Sequence, residues 1–297
     1  SSSVVTGISS TASMQKGMAV TGTGIPAGSY IVSIDSATQV TLSQNATASG
    51  TVADFTANSG GRLDVNGFST AKALVLNGAG SSLYSANFTG ALWNSSPTAV
   101  TLSGIMTLGS AASVGGYGDM TLSGNVAGAF ALTKTGDNTL VLSGSGNSYT
   151  TLAVNLGVLK LGHASALSDT NNATTILTGA ILDLNGFAVG AEPLVIAGAG
   201  FAGTGTLSGH GTVSAQAALL NSSATAASFG GPISLTNNVS IGGSRVNLSS
   251  GVTSGDITLS GVISNSDTNA RTLTKTGTNT LILTAANTYG PTTINLG

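Results

Sequence analysis

One eleven-residue phrase occurs twice in this chain. Leu132-Thr-Lys-Thr-Gly-Asp-Asn-Thr-Leu-Val-Leu142 returns as Leu273-Thr-Lys-Thr-Gly-Thr-Asn-Thr-Leu-Ile-Leu283. A tyrosine follows each copy, Tyr149 or Tyr289, and then Val154-Asn-Leu-Gly157 or Ile294-Asn-Leu-Gly297. Self-similarity of this kind marks stacked supersecondary units, each burying its apolar face against the next. It predicts an elongated array rather than a fold built around one active site.

The phrase sits inside a longer repeat. Leu63-Asp-Val-Asn-Gly-Phe68 matches Leu182-Asp-Leu-Asn-Gly-Phe187, and Leu92-Trp-Asn-Ser-Ser96 resembles Leu219-Leu-Asn-Ser-Ser223. Ser113-Val-Gly-Gly116 pairs with Ser240-Ile-Gly-Gly243. The offset is 119 residues at Leu63 and Leu182 but 141 at Lys134 and Lys275, so the second copy has gained insertions. The division expected is an N-terminal β-module at 1–58 and two solenoid units at 59–178 and 179–297. Within the first segment, Pro26 fixes a turn, and Ile31–Ile34 with Gln39–Leu42 reads as a hairpin.

Short β-rich runs such as Tyr30–Ile34, Ala73–Leu76, Met120–Ser123 and Val158–Leu161 are punctuated by Gly, Asn, Ser or Asp, and no stretch shows helical periodicity. The fold class is all-β. A parallel β-helix, or solenoid, explains the repeats best, since each coil pairs only with its neighbours. Tandem β-sandwiches are the alternative, because they also turn every 8–12 residues. Coils of about 20–25 residues give about ten coils and a rod on the order of 50 Å.

Composition agrees. Only 6% of the 297 residues are charged, whereas 41% are hydrophobic and 43 are Gly. Disordered chains show the opposite balance. A net charge of −2 gives no electrostatic basis for binding nucleic acid. No apolar run is long enough for a transmembrane helix, so no membrane insertion is expected. The absence of Cys excludes disulfides and thiolate metal sites.

Thr272-Leu-Thr-Lys-Thr-Gly-Thr-Asn-Thr-Leu-Ile-Leu283, then Asn287-Thr-Tyr289, then Thr292-Thr-Ile-Asn-Leu-Gly297, resembles the autotransporter-associated β-strand repeat of Gram-negative passenger proteins. Residues 131–162 match it with small changes, and Gly17–Gly28 is similar to β-modules of bacterial surface and phage-fibre proteins. The resemblance implies a right-handed parallel β-helix, an extracellular or cell-surface location, and a structural or adhesive role.

Catalytic chemistry is thin. His163 and His210 stand alone. Asp64 and Asp183 are the best carboxylates for a polysaccharide-active site, but they recur with the scaffold, which predicts a corner role in Asp-x-Asn-Gly. Asn265–Asn269 and Asp169–Asn172 alternate oxygen ligands without a complete calcium loop. Lys134 and Lys275 read as turn-flanking lysines that block edge pairing. Trp93, Tyr84, Tyr117, Tyr149 and Tyr289 read as packing residues ahead of a sugar platform. No catalytic residue, cofactor or metal ligand is assigned.

The termini carry the site expectation. Val158-Leu-Lys-Leu-Gly162 continues the first copy, while the second stops at Gly297, which leaves an open solenoid edge. The uncharged, β-prone segment Ser1–Gly7 is a candidate for completing that edge in another copy. The expected interface is Val4, Val5 and Thr6 against Thr293, Ile294 and Leu296, a heterologous contact that propagates head to tail into a homopolymer. The function expected is a non-enzymatic extracellular filament or matrix subunit. An adhesin with a surface glycan as partner is the second reading, and an enzyme acting on polysaccharide the third.

Overall fold

The computed structural model describes the chain except residues 1, 9, 12–13, 15–17, 49–55, 59–60, 81–89, 169–171, 201–204, 208–210, 214–216, 243–253 and 296–297. Its main body is a parallel β-solenoid, a single sheet system of 19 strands joined by a second, parallel group of four. Among the described residues there is no helix long and apolar enough to cross a membrane.

Three columns of paired residues define the walls. In the first, Leu63, Leu92, Val114, Lys134, Val154, Ile176, Ile196 and Leu235 stack one upon another. In the second, Val100, Met120, Leu140, Leu159, Leu182, Leu219, Ile241, Lys275 and Ile294 do the same. The third runs through Leu74, Met106 and Val126, and later through Val189, Phe229, Leu259 and Leu283. A parallel ladder with a coil between successive partners is what the repeats predict. The sandwich alternative requires antiparallel pairing and is overturned.

The register explains the sequence pattern. Side chains alternate across a strand, so Ala112 and Val114, or Leu152 and Val154, face inward together. They form one continuous core from Val65 to Leu273. Each aliphatic side chain so enclosed contributes about 1.5–3 kcal/mol relative to exposure, and it does so in every coil. From Val114 through Lys134 to Val154 the step is 20 residues. Later steps are longer: Ile196 and Leu235 are stacked neighbours although 39 residues separate them. That interval contains the antiparallel hairpin of Gly205–Leu207 and Gly211–Val213. Insertions therefore leave the ladder at a corner and return to it.

The two copies of the phrase do not lie over one another. Residues 132–142 run from the first wall to the second, whereas 273–283 run from the second to the third. Lys275 stands in the column of Leu140, not that of Lys134. The second copy is thus displaced by one wall around the coil. Nothing resists this, because the phrase specifies a strand, a corner and a strand, and each wall offers the same parallel ladder.

The N-terminal segment is built differently. Val4–Thr6, Gln39–Leu42 and Ile31–Ser36 form an antiparallel sheet in that spatial order. Ile8, Met18, Val20, Ile31, Val40 and Leu42 make its small core. The expected hairpin is present, and Pro26 lies in a turn closed by Ile25 N–H to Gly22 O and Ser29 N–H to Pro26 O.

Candidate functional site at the repeated corners

The recurring side chains gather at corners. Asp64 Oδ1 accepts hydrogen bonds from Asn66 N–H (2.9 Å) and Ser95 N–H (3.0 Å). Asp183 Oδ1 accepts the equivalent pair, from Asn185 N–H and Ser222 N–H, both at 2.9 Å. Asn66 and Asn185 are left-handed, with φ of 43° and 48°, which Asn tolerates better than other non-glycine residues. Both aspartates are corner elements, as their recurrence predicts. Asp183 differs in being fully buried, and Lys160, from the preceding coil, lies 3.8 Å from its Oδ2 and donates to Ser222 Oγ at 3.2 Å.

Beside each aspartate stands a buried asparagine that the sequence reading missed. Asn94 Oδ1 accepts from Gly67 N–H and Ser96 N–H, while its amide donates to Thr98 O and Asp119 O. Asn221 does the same with Gly186, Ser223, Thr225 and Gly255. One side chain thereby ties three successive coils together. The signal was the recurrence of Asn-Ser-Ser in both copies.

The lysines correct the sequence reading. Lys134 is fully buried, not a solvated guard against edge pairing. Its ammonium donates to Thr135 O (2.7 Å), Gly136 O (2.7 Å), Asn138 Oδ1 (2.9 Å) and Leu156 O (3.1 Å). Four acceptors around three N–H groups saturate it. Asn138 in turn donates to Gly118 O in the coil before, and Asp119 accepts from Thr139 N–H. The corner is thus bolted to both neighbours. Lys275 repeats the contacts to Thr276 O (2.6 Å) and Gly277 O (2.7 Å), with Asn279 on Gly255 O.

The electrostatics follow from this enclosure. Burial pushes Lys275 below its ordinary value, with Asp256 opposing. Burial also raises Asp137, with Lys134 opposing. Burial alone would raise Asp64 too, but hydrogen bonds from Ser95 and Asn66 outweigh it and hold the carboxyl below 3.8. A depressed carboxyl contributes stability that is present above its unfolded value and lost as pH falls through the folded one. Urea unfolding between pH 2.5 and 5 should therefore show stability falling with acid, and Asp64→Asn should flatten that slope. An unchanged slope would rule out the Asp64 corner as a source.

The remaining candidates fall into place. Trp93 is buried, edge-on to Tyr117 with centroids 5.7 Å apart and with the Arg62 guanidinium 4.5 Å above its ring. Tyr149 is buried and donates to Ala166 O at 2.7 Å; its hydroxyl is pushed well above the ordinary value by burial and by Glu192. Tyr289 is half-buried against the core, and its hydroxyl lies 2.9 Å from Thr292 Oγ1. Tyr84 and His210 lie outside the described residues, and so does most of the Asp169–Asn172 calcium candidate. In Asn265–Asn269 the oxygens of Asp267 are occupied by Asn269 and Arg271, which leaves them poorly placed as calcium ligands. Among the described residues no group of three or more His, Asp or Glu side chains is placed to hold a metal.

The residues expected at a subunit interface occupy two different sheets. Val4, Val5 and Thr6 form an edge strand already paired within the chain with Gln39–Thr41. Thr293 and Ile294 pair with Thr274 and Lys275 and are exposed on their other side. Leu296 lies outside the described residues.

Comparison with known proteins finds a repeat that spans the lysine corners. The model of the passenger-associated-transport-repeat matches residues 132–161 and 273–297. Each match starts at the strand bearing the lysine and reaches the strand stacked on it in the next coil. Searches of curated proteins and of solved structures found no match. The chain thus carries two passenger-associated transport repeats, and each supplies one lysine corner of a single parallel β-solenoid.

Proposed function

We propose that this chain is a non-enzymatic structural segment of a secreted or cell-surface passenger protein, acting as a stiff rod that assembles head to tail. The observation that carries this reading is the use of its polar side chains. Lys134, Asn94, Asn221 and Asp183 are spent joining one coil to the next. Such a device resists pulling and proteolysis, because every coil is held by backbone ladders and by side-chain bolts at its corners.

Assembly would use two edges: the free side of Val4–Thr6 in one copy and Thr292–Ile294 in another. Edge strands with few charges lack the usual protection against such pairing. Electron microscopy of the purified chain in negative stain should show filaments with a repeat of one subunit length, and deletion of residues 1–7 should abolish them. Isolated short rods from the intact chain, or filaments that survive the deletion, would sink head-to-tail assembly while leaving the rod itself intact.

A further inference from the structure

The two homologous corners form an internal comparison, one covered and one bare. Leu182-Asp-Leu-Asn-Gly-Phe187 lies beneath the strand Gly157–Leu161, with Leu159 over Leu182 and Lys160 over Asp183. Under that strand Leu182, Asp183 and Leu184 have no exposed surface. Asn185 donates its amide to Leu161 O, and Lys160 reaches Asp183 and Ser222. The strand therefore covers apolar side chains, satisfies the backbone edge and neutralises a carboxylate.

Leu63-Asp-Val-Asn-Gly-Phe68 has the same downstream contacts and no strand upstream among the described residues. Leu63 and Val65 donate to Ala91 O and Trp93 O, as Leu182 and Leu184 donate to Ala218 O and Leu220 O. By the alternation of a strand, the N–H and C=O of Asp64 face the other way, toward the edge. Leu63 is 43% exposed where Leu182 is buried, and Phe68 is 75% exposed where Phe187 packs against the core. Asp64 keeps the Ser95 hydroxyl as a hydrogen-bond donor, as Asp183 keeps that of Ser222. Arg62 lies over the Trp93 ring and donates to Gly90 O. Its charge acts on Asp64, but among the described residues no strand above the edge brings a lysine as Lys160 is brought to Asp183.

We infer that the edge Leu63–Phe68 is a docking site for a parallel β-strand of the type aliphatic–Lys–aliphatic–Gly, supplied by another polypeptide. The incoming lysine sits over Asp64 and Ser95, and its flanking aliphatic residues cover Leu63 and Val65. Backbone pairing gives the affinity, and the lysine fixes the register. This strand is distinct from the Val4–Thr6 edge and does not depend on head-to-tail filaments.

The test uses the intact chain, isotope-labelled for amide NMR, and a peptide with the sequence of residues 157–163. Its control carries Glu in place of the lysine. The lysine peptide should shift the amides of Leu63–Phe68 saturably in the micromolar-to-millimolar range, and the Glu peptide should bind at least tenfold more weakly. Asp64→Asn, checked for an unchanged amide spectrum elsewhere, should reduce the difference between the two peptides. Equal binding, no shift at millimolar peptide, or shifts confined to Thr292–Ile294 or Val4–Thr6 would each overturn the assignment.

Discussion

Replacing Lys134 with methionine should cost the chain about 3–5 kcal/mol, the largest loss expected from any single conservative change. Methionine matches the volume and removes the ammonium, so Thr135 O, Gly136 O, Leu156 O and Asn138 Oδ1 lose a shared donor at once. Burying a charge is costly, and here it is tolerated because every N–H of the ammonium is used. Removing one member of such a set leaves the others desolvated without recompense. Lys275→Met is the internal control. Its described contacts are two, and the side chain is only partly enclosed, so about 1–2 kcal/mol is expected. Since stability in a stacked array is local, the loss should centre on the neighbouring coils. Amide exchange at Asn138, Thr139 and Asn155 will show it most directly, alongside urea unfolding. Equal and small losses at both lysines would mean that the carbonyls find other donors, and the bolt would then be incidental.

Substituting alanine for Gly261 should be nearly as damaging, by a steric route. Gly231 and Gly261 occupy the same corner in successive coils, and a Cβ on either would fall inside the backbone carbonyl of the coil before. For Gly261 that carbonyl belongs to Gly231, and for Gly231 it belongs to Glu192. The obstacle is backbone fixed in the ladder, which cannot rotate away as a flexible side chain would. A loss of about 3 kcal/mol or more follows, with the coils forced apart at that corner. Gly190→Ala is the matching control, since nothing lies within 4 Å of a Cβ there. Thermal unfolding of the pair should separate clearly. Equal melting temperatures would show that the corners are looser than the stacking requires.

Much of this architecture is legible in the linear chain, for a specific reason. Parallel coils repeat the same environment, so residues that serve the same corner recur, and Asp64 with Asp183 could be assigned to corners before any contact was seen. The hairpin of Ile31–Leu42 was equally legible, because alternation and turn residues act locally. The lysines were misread although the pattern contained the answer. Lys134 lies two residues after Leu132, and Lys275 two after Leu273, so strand alternation puts each on the same side as a buried leucine. The general rule that lysines stay in solvent hid that parity. It fails here because the corner turns several carbonyls toward one point.

What the sequence determined by itself was the unit: strand, corner, strand, with side chains chosen to close the corner. What only the tertiary structure decided was how the units meet. The second copy sits one wall round from the first, so Lys275 stacks above Ile241 and not in the column of Lys134. Val4–Thr6 folds onto Gln39–Thr41 instead of remaining free. The Leu63–Phe68 edge is bare while its twin at Leu182–Phe187 is covered. Local propensity and repeat period act within a coil and are blind to these choices. Placement around the axis, and the identity of the strand lying on an edge, depend on contacts between residues far apart in sequence.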